Sequence, residues 1–170
     1  MQQLYLVRHA EPTTKGVFIG ASDPPLSEKG LVDAKLALEF MLVDHVYVSP
    51  MKRALESAAF IKAPQTVIDD LREIFFGDWE GLNWAQICAA DLKQAEKKMS
   101  DWFGHPAPHG EKFEDVLKRA QKALEVIREG PPLVAVMGHA VTNAAIHYLI
   151  TGQPPDLFEQ EYLQIHHYEL

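Results

Sequence analysis

Residues 3–9, Gln3-Leu4-Tyr5-Leu6-Val7-Arg8-His9, join a short apolar run to an arginine and a histidine. The apolar run predicts a buried strand. The guanidinium of Arg8 can bind phosphate oxygens in a planar, bidentate way, and the neutral imidazole of His9 can attack phosphorus. A dipeptide also recurs by chance, so a solvated histidine at the end of a strand is the alternative. The rest of the chain has to decide between these interpretations.

Strand and helix signals alternate along the rest of the chain. Further strands are predicted at 45–48, 66–68, 133–137 and 162–168, the last of them at an edge. Helices are predicted at 28–41, from Ser49-Pro50 onward, at 84–103 with irregularities, at 111–129 and at 141–150. Ser27 is expected to cap the first helix and Pro50 to open the second. The alternation predicts an α/β fold in one domain over 1–170, a three-layer α/β/α sandwich with a mostly parallel central sheet.

Composition and charge limit the function classes. Of the 170 residues, 47% are hydrophobic and 24% are charged, as in ordinary globular proteins. The net charge of -8 argues against nucleic acid or an anionic membrane as a partner, so any phosphate site must be a local cluster of arginine and histidine. No apolar run approaches the roughly 20 residues that span a bilayer. With a single cysteine, Cys88, and no N-terminal targeting segment, we expect a cytoplasmic protein without an internal disulfide.

Three more polar residues fall close to predicted strand ends. Arg53 lies one turn into the helix after the second strand, Glu73 follows the third strand, and His139 follows the strand at 133–137. Ligands of such sheets bind at the carboxyl ends of the strands, so we expect these side chains to meet Arg8 and His9 there. The alternatives are that Arg53 is an ordinary surface arginine and that Glu73 forms a solvated pair with its neighbour Arg72.

Several segments of the chain together resemble the histidine phosphatase superfamily, which has the phosphoglycerate-mutase-like fold. They are Leu6-Val7-Arg8-His9-Ala10, Asp23-Pro24-Pro25-Leu26-Ser27-Glu28-Lys29-Gly30, Ser49-Pro50-Met51-Lys52-Arg53-Ala54, Leu71-Arg72-Glu73, Phe76-Gly77-Asp78-Trp79-Glu80-Gly81, Gly110-Glu111 and Val136-Met137-Gly138-His139-Ala140. They occur in the order of the family and extend over most of the chain. The resemblance implies a phosphatase that acts on a small-molecule phosphate ester without a metal or other cofactor.

The resemblance also implies roles for individual residues. His9 would be the nucleophile that forms a phosphohistidine, and Arg8, Arg53 and His139 would surround the transferring phosphoryl group. Glu73 would protonate the leaving alkoxide and then accept a proton from water, so it must start protonated, which burial or the nearby phosphate dianion would favour. Backbone N–H groups of the helix after His139 would add to the phosphate site. Two guanidiniums and two imidazoles supply the positive charge, so no metal is needed.

Two segments bear on the substrate. Many members of the family have an asparagine in the loop after the histidine, but residues 11–16 contain none, which leaves Thr13, Thr14 and Lys15 as candidates for its place. This short loop is similar to the α-ribazole phosphatase branch, which makes α-ribazole 5′-phosphate the candidate substrate. Residues 82–110 are the expected lid over the substrate. Trp79 and Trp84 are interpreted as packing residues rather than as substrate contacts.

Two other functions stay open at this point. The same fold can serve as a non-catalytic module that binds a phosphoryl group or a partner, and a small member of the family can act on protein phosphohistidine. The complete set of Arg8, His9, Arg53, Glu73 and His139 favours catalysis over the first alternative. The long segment 82–110 argues against the second.

Overall fold

A computed structural model describes residues 1–170, and at its centre lies a five-stranded sheet. The strands are β1 (Gln3–Arg8), β2 (His45–Val48), β3 (Gln65–Val67), β4 (Leu133–Gly138) and β5 (Ile165–Glu169). They lie in the order β3-β2-β4-β1-β5, in which only β5 is antiparallel to its neighbour. The carboxyl ends of β1, β2, β3 and β4 therefore share one edge of the sheet.

Helices cover both faces of this sheet. They are α1 (Glu28–Leu38), α2 (Lys52–Ala58), α3 (Trp84–Ala90), α4 (Leu92–Ser100), α5 (Phe113–Arg128) and α6 (Ala140–Thr151). Alternate residues of β1 point to opposite faces, so that Leu4 and Leu6 join a core with α5 and α6, whereas Val7 joins a core with α1 and α2. The predicted three-layer α/β/α sandwich is confirmed. None of the helices is long and apolar enough to cross a bilayer.

The start of α2 differs from its prediction. Pro50 does not open the helix, which begins at Lys52 with Met51 in the extended N-cap conformation. The carboxylate of Asp23 accepts a hydrogen bond from Lys52 N at 2.7 Å, so the loop satisfies the first N–H of the helix. Ser49 Oγ accepts a hydrogen bond from Met51 N at 3.3 Å, just before the helix begins.

The other helices and β5 follow the sequence more closely, with differences at their ends. Ser27 caps α1 as predicted, by accepting a hydrogen bond from Gly30 N, but this helix ends at residue 38 instead of 41. Asp91 separates α3 from α4 and caps α4 through Gln94 N, which accounts for the irregular pattern in 84–103. Strand β5 begins at 165 rather than 162, because Leu163 has a φ of +63° in a turn.

Candidate active site

All five residues that the sequence singles out lie together at the carboxyl edge of the sheet. Arg8, His9, Arg53 and Glu73 line one cavity of about 240 Å³. His139 is fully buried beside it, and its ring centroid lies 5.1 Å from that of His9. Arg53 is the second residue of α2 rather than one turn into it, because the helix begins later than predicted. The interpretation of Arg53 as a surface residue is wrong, since its side chain is 1% exposed.

The imidazole of His9 is held in one orientation and one tautomer. Its Nδ1 lies 2.7 Å from the carbonyl oxygen of Ala10, which can only accept, so Nδ1 carries the proton and Nε2 has a free lone pair. The N–H of Ala10 donates to Ser57 Oγ at 2.9 Å, which anchors this turn to α2. Burial, with the positive charges of Arg53 and Arg8, lowers the pKa of His9 to about 3, although the Ala10 hydrogen bond opposes the shift. A neutral imidazole with an unprotonated Nε2 is a nucleophile at physiological pH.

His139 has one partnered and one unpartnered ring nitrogen. Its Nε2 lies 2.7 Å from Ser49 Oγ, whereas its buried Nδ1 has no hydrogen-bond partner. If the Ser49 hydroxyl donates to Nε2, the proton of the neutral ring is on Nδ1. Burial, together with the positive charges around it, holds the pKa of His139 well below its ordinary value. An unpaired buried donor is costly, and a phosphoryl oxygen is a partner of the right chemistry for it.

Backbone carbonyls orient the two guanidinium groups. Arg53 donates to the carbonyl oxygens of Ser22 at 2.8 Å and Gly20 at 3.1 Å. Arg8 donates to Gln160 O at 2.7 Å, and its guanidinium lies 4.4 Å from the ring centroid of Tyr162. These contacts hold both cations at the cavity before any ligand binds, and such preorganised donors stabilise the charge of a transferring phosphoryl group.

The N-terminus of α6 is occupied by Glu73. One carboxylate oxygen of Glu73 accepts from Val141 N at 3.0 Å, and the other accepts from Thr142 N at 3.1 Å and Ile74 N at 2.9 Å. Two of the helix N–H groups expected at the phosphate, those of Val141 and Thr142, therefore bind Glu73 instead, whereas Ala140, the first residue of α6, lines the cavity. These contacts fix the position of the Glu73 carboxylate at the cavity.

Apolar side chains form the outer wall of the cavity. Those that line it include Val17, Phe18, Ile19, Phe76, Trp102, Val141 and Tyr162. Trp79 is buried in the core and Trp84 packs against that core, so the interpretation of both as packing residues is confirmed. Sequence reasoning missed Trp102, although this residue lies in the segment expected to cover the substrate. Of the three candidates for the missing asparagine, only Lys15 lines the cavity, and its Nζ lies 3.1 Å from a carboxylate oxygen of Glu11.

Burial of a neutral His9 makes stability depend on pH. Between pH 6.5 and about 3 the unfolded imidazole binds a proton that the folded one does not, so stability is full above this window and falls as the pH drops through it. We expect His9 to contribute about 1.4 kcal/mol per pH unit to this fall. Urea unfolding of wild type and His9→Asn between pH 4.5 and 7 measures it, and the variant should lose stability less steeply. Equal slopes would contradict a neutral buried imidazole.

Comparisons with known proteins show what this chain is similar to. The family model described as "Histidine phosphatase superfamily (branch 1)" matches residues 4–169. The candidate phosphoserine phosphatase 2 of Hydrogenobacter thermophilus is 36% identical over 162 residues, which cover 89% of this chain and 80% of that protein. The adenosylcobalamin/alpha-ribazole phosphatase of Salmonella typhimurium is 28% identical over 88% of this chain and 80% of its own length. The structure of Bacillus stearothermophilus YhfR is 29% identical, covers 100% of this chain and 92% of its own, and superposes with a TM-score of 0.86.

Proposed function

The chain belongs to the histidine phosphatase superfamily, and from this premise we propose that it hydrolyses a small-molecule phosphomonoester through a phosphohistidine at His9. Its relatives include phosphatases by name, and the chain is a phosphatase. The observation that carries the mechanism is the neutral, oriented imidazole of His9, whose free Nε2 lies in a cavity with two buried or half-buried guanidiniums. Histidine with these neighbours suits an attack on a phosphorus atom whose oxygens are held by cations.

In the first step the phosphoryl group binds between Arg8, Arg53 and Nδ1 of His139. Nε2 of His9 attacks phosphorus, the new N–P bond forms, and the bond from phosphorus to the ester oxygen breaks. Glu73, protonated in the complex with the dianion, gives its proton to the leaving alkoxide. The alcohol departs, and the phosphoryl group remains on His9.

In the second step water takes the place of the alcohol. Glu73, now ionised, accepts a proton from the water as its oxygen attacks phosphorus. The N–P bond breaks, inorganic phosphate leaves, and the imidazole returns to its neutral form with a proton on Nδ1 only. Arg8 and Arg53 stabilise the charge on the equatorial oxygens in both steps.

The apolar wall of the cavity favours an apolar or aromatic alcohol. Phe18, Phe76 and Trp102 line the cavity, whereas Lys15 is paired with Glu11. An amino-acid ester such as phosphoserine would bring an ammonium and a carboxylate, and desolvating these needs paired partners. These contacts support α-ribazole 5′-phosphate, with its aromatic base, over phosphoserine. We further propose that residues 82–110 act as the lid, with Trp102 as its contact to the substrate.

Phosphate release from a panel of esters tests the function. The panel contains α-ribazole 5′-phosphate, phosphoserine, simple aryl and alkyl phosphates and a phosphohistidine peptide, all with a chelator present. We expect turnover that survives the chelator and is fastest with an aromatic ester. Fastest turnover of phosphoserine would contradict the substrate, and fastest turnover of the peptide would identify a protein phosphatase. No turnover of any ester would favour the binding module.

Trp102→Ala tests the substrate wall. We expect kcat/KM for 1-naphthyl phosphate to fall about 10-fold, because one aromatic contact is lost, and kcat/KM for glycerol phosphate to change little. Steady-state kinetics of both esters measures the ratio. Phe40→Ala is the control, since Phe40 is 82% exposed and does not line the cavity. An equal fall for both esters would show that Trp102 does not contact the leaving group.

A further inference from the structure

The carboxylate of Glu80 gathers the backbone N–H groups of three consecutive residues. It accepts from Gly20 N at 3.1 Å, Ala21 N at 2.8 Å and Ser22 N at 3.3 Å, and also from Ser22 Oγ at 2.7 Å and Phe76 N at 3.1 Å. Burial alone would raise the pKa of Glu80, but these hydrogen bonds lower it below its ordinary value. The carboxylate is thus ionised and sits in an anion-binding turn built by residues 20–22.

The opposite side of the same turn holds Arg53. The carbonyl oxygens of Gly20 and Ser22 accept from the guanidinium at 3.1 and 2.8 Å, and Ile19 O lies 3.5 Å from it. Residues 20–22 therefore lie between an anion, which binds their N–H groups, and a cation, which binds their carbonyls. Each charge polarises the peptide groups in the sense that strengthens the other contact.

The turn has little room to move. A Cβ on Gly20 would lie 1.9 Å from Ile74 O and 2.6 Å from a carboxylate oxygen of Glu80, so only glycine fits here. The N–H of Phe18 donates to Leu82 O at 2.9 Å, which joins the start of this loop to the chain just after Glu80. The guanidinium of Arg53 thus rests on a loop that Glu80 and its neighbours hold in place.

We propose that Glu80 is a positioning residue for phosphoryl transfer, which fixes the Arg53 guanidinium at the phosphate through the backbone of residues 20–22. Glu80 itself does not line the cavity. The inference rests on the proposed role of Arg53 as a phosphate ligand. It assigns a task to the glutamate of Phe76-Gly77-Asp78-Trp79-Glu80-Gly81, for which the sequence indicates none.

A double-mutant cycle between Glu80 and Arg53 tests the proposal. Glu80→Gln keeps the size of the side chain but turns an NH₂ group toward backbone donors that need an acceptor. We expect kcat/KM to fall about 10- to 100-fold in Glu80→Gln and on the order of 100-fold in Arg53→Ala. If Glu80 acts through Arg53, adding Glu80→Gln to Arg53→Ala should cost less than about 3-fold more. Losses that multiply across the cycle would overturn the proposal.

Two further measurements separate positioning from folding and from the function itself. Urea unfolding of each variant identifies a loss that comes from a poorly folded protein. Should Glu80→Gln not fold, Ser22→Ala removes one contact to Glu80, and we expect about a 3-fold loss that disappears with Arg53→Ala. The affinity for inorganic phosphate, measured by calorimetry over the same cycle, should show the same coupling even if no ester is turned over. Phosphate affinity that Glu80→Gln leaves unchanged would overturn the proposal while the phosphatase function stands.

Discussion

His9→Ala abolishes phosphate release, with an expected loss in kcat/KM of at least about 10⁵-fold. The reason is that no other side chain at the cavity offers a free nucleophilic nitrogen. His139 is fully buried, its Nε2 accepts from the Ser49 hydroxyl, and its Nδ1 carries the ring proton. Initial-rate assays with the best ester of the panel measure the loss. Rapid quench of the wild type into alkali, followed by ³¹P NMR, should detect the phosphohistidine, which is absent from His9→Ala.

His167→Ala is the matched control for the first prediction. His167 lies exposed on the edge strand β5 and does not line the cavity, so its replacement should leave turnover unchanged. If His9→Ala still hydrolysed the ester at a tenth of the wild-type rate, a phosphohistidine at His9 could not be an intermediate of the reaction. Turnover lost on adding a chelator to the wild type would also contradict the mechanism, because the proposed steps use no metal.

Glu73→Gln lowers kcat for alkyl phosphates on the order of 10³-fold but has a far smaller effect on 4-nitrophenyl phosphate. An alkoxide is a poor leaving group and needs the proton of Glu73, whereas nitrophenolate leaves without one. The glutamine keeps one acceptor oxygen, for the N–H of Val141 or for those of Thr142 and Ile74, but loses the other and cannot supply the proton. Single-turnover rates for a series of esters with different leaving-group pKa values measure the effect, and the variant should depend on leaving-group pKa more steeply than the wild type.

Thr142→Val is the control for the second prediction. It removes the hydroxyl that lies 3.2 Å from the Glu73 carboxylate but leaves the carboxylate in place. We expect a modest fall in stability, of about 1 kcal/mol, and an unchanged dependence on leaving-group pKa. If Glu73→Gln slowed alkyl and nitrophenyl esters equally, Glu73 would serve to cap α6 and hold the site together, not to transfer protons.

Local patterns were enough to predict most of the fold. Strand β4 is an apolar run, and α5 has its apolar residues on one face. Both patterns reflect burial and can be recognised from the sequence alone. Element ends were less predictable, as α2 shows. Its first N–H is satisfied by Asp23, which lies 29 residues away in the sequence, and no local rule for Pro50 contains that contact.

The residues of the candidate site could also be predicted, but their partners could not. Arg8 ends β1, His9 follows it, and His139 follows the neighbouring strand β4, so the topology of a parallel sheet is enough to bring them together. Glu73 was expected to be near them, yet its position as the cap of α6 depends on N–H groups 68 and 69 residues away. Trp102 follows α4 in a segment whose path depends on tertiary packing. The hydrophobic pattern of this segment therefore did not predict that Trp102 lines the cavity.

The order of residues along the chain was enough to predict the alternation of strands and helices, the family and the polar residues at the edge of the sheet. These follow from hydrophobic periodicity and from residue types at strand ends, both of which are local. The hydrogen bonding of each group depends on the three-dimensional packing, which sets the tautomer of His9, leaves Nδ1 of His139 without a partner and places the loop between Glu80 and Arg53. Burial and hydrogen bonding set the charge and orientation of these side chains. Even where the partner is a neighbour, as Ala10 is to His9, its position depends on a residue distant in the chain, here Ser57.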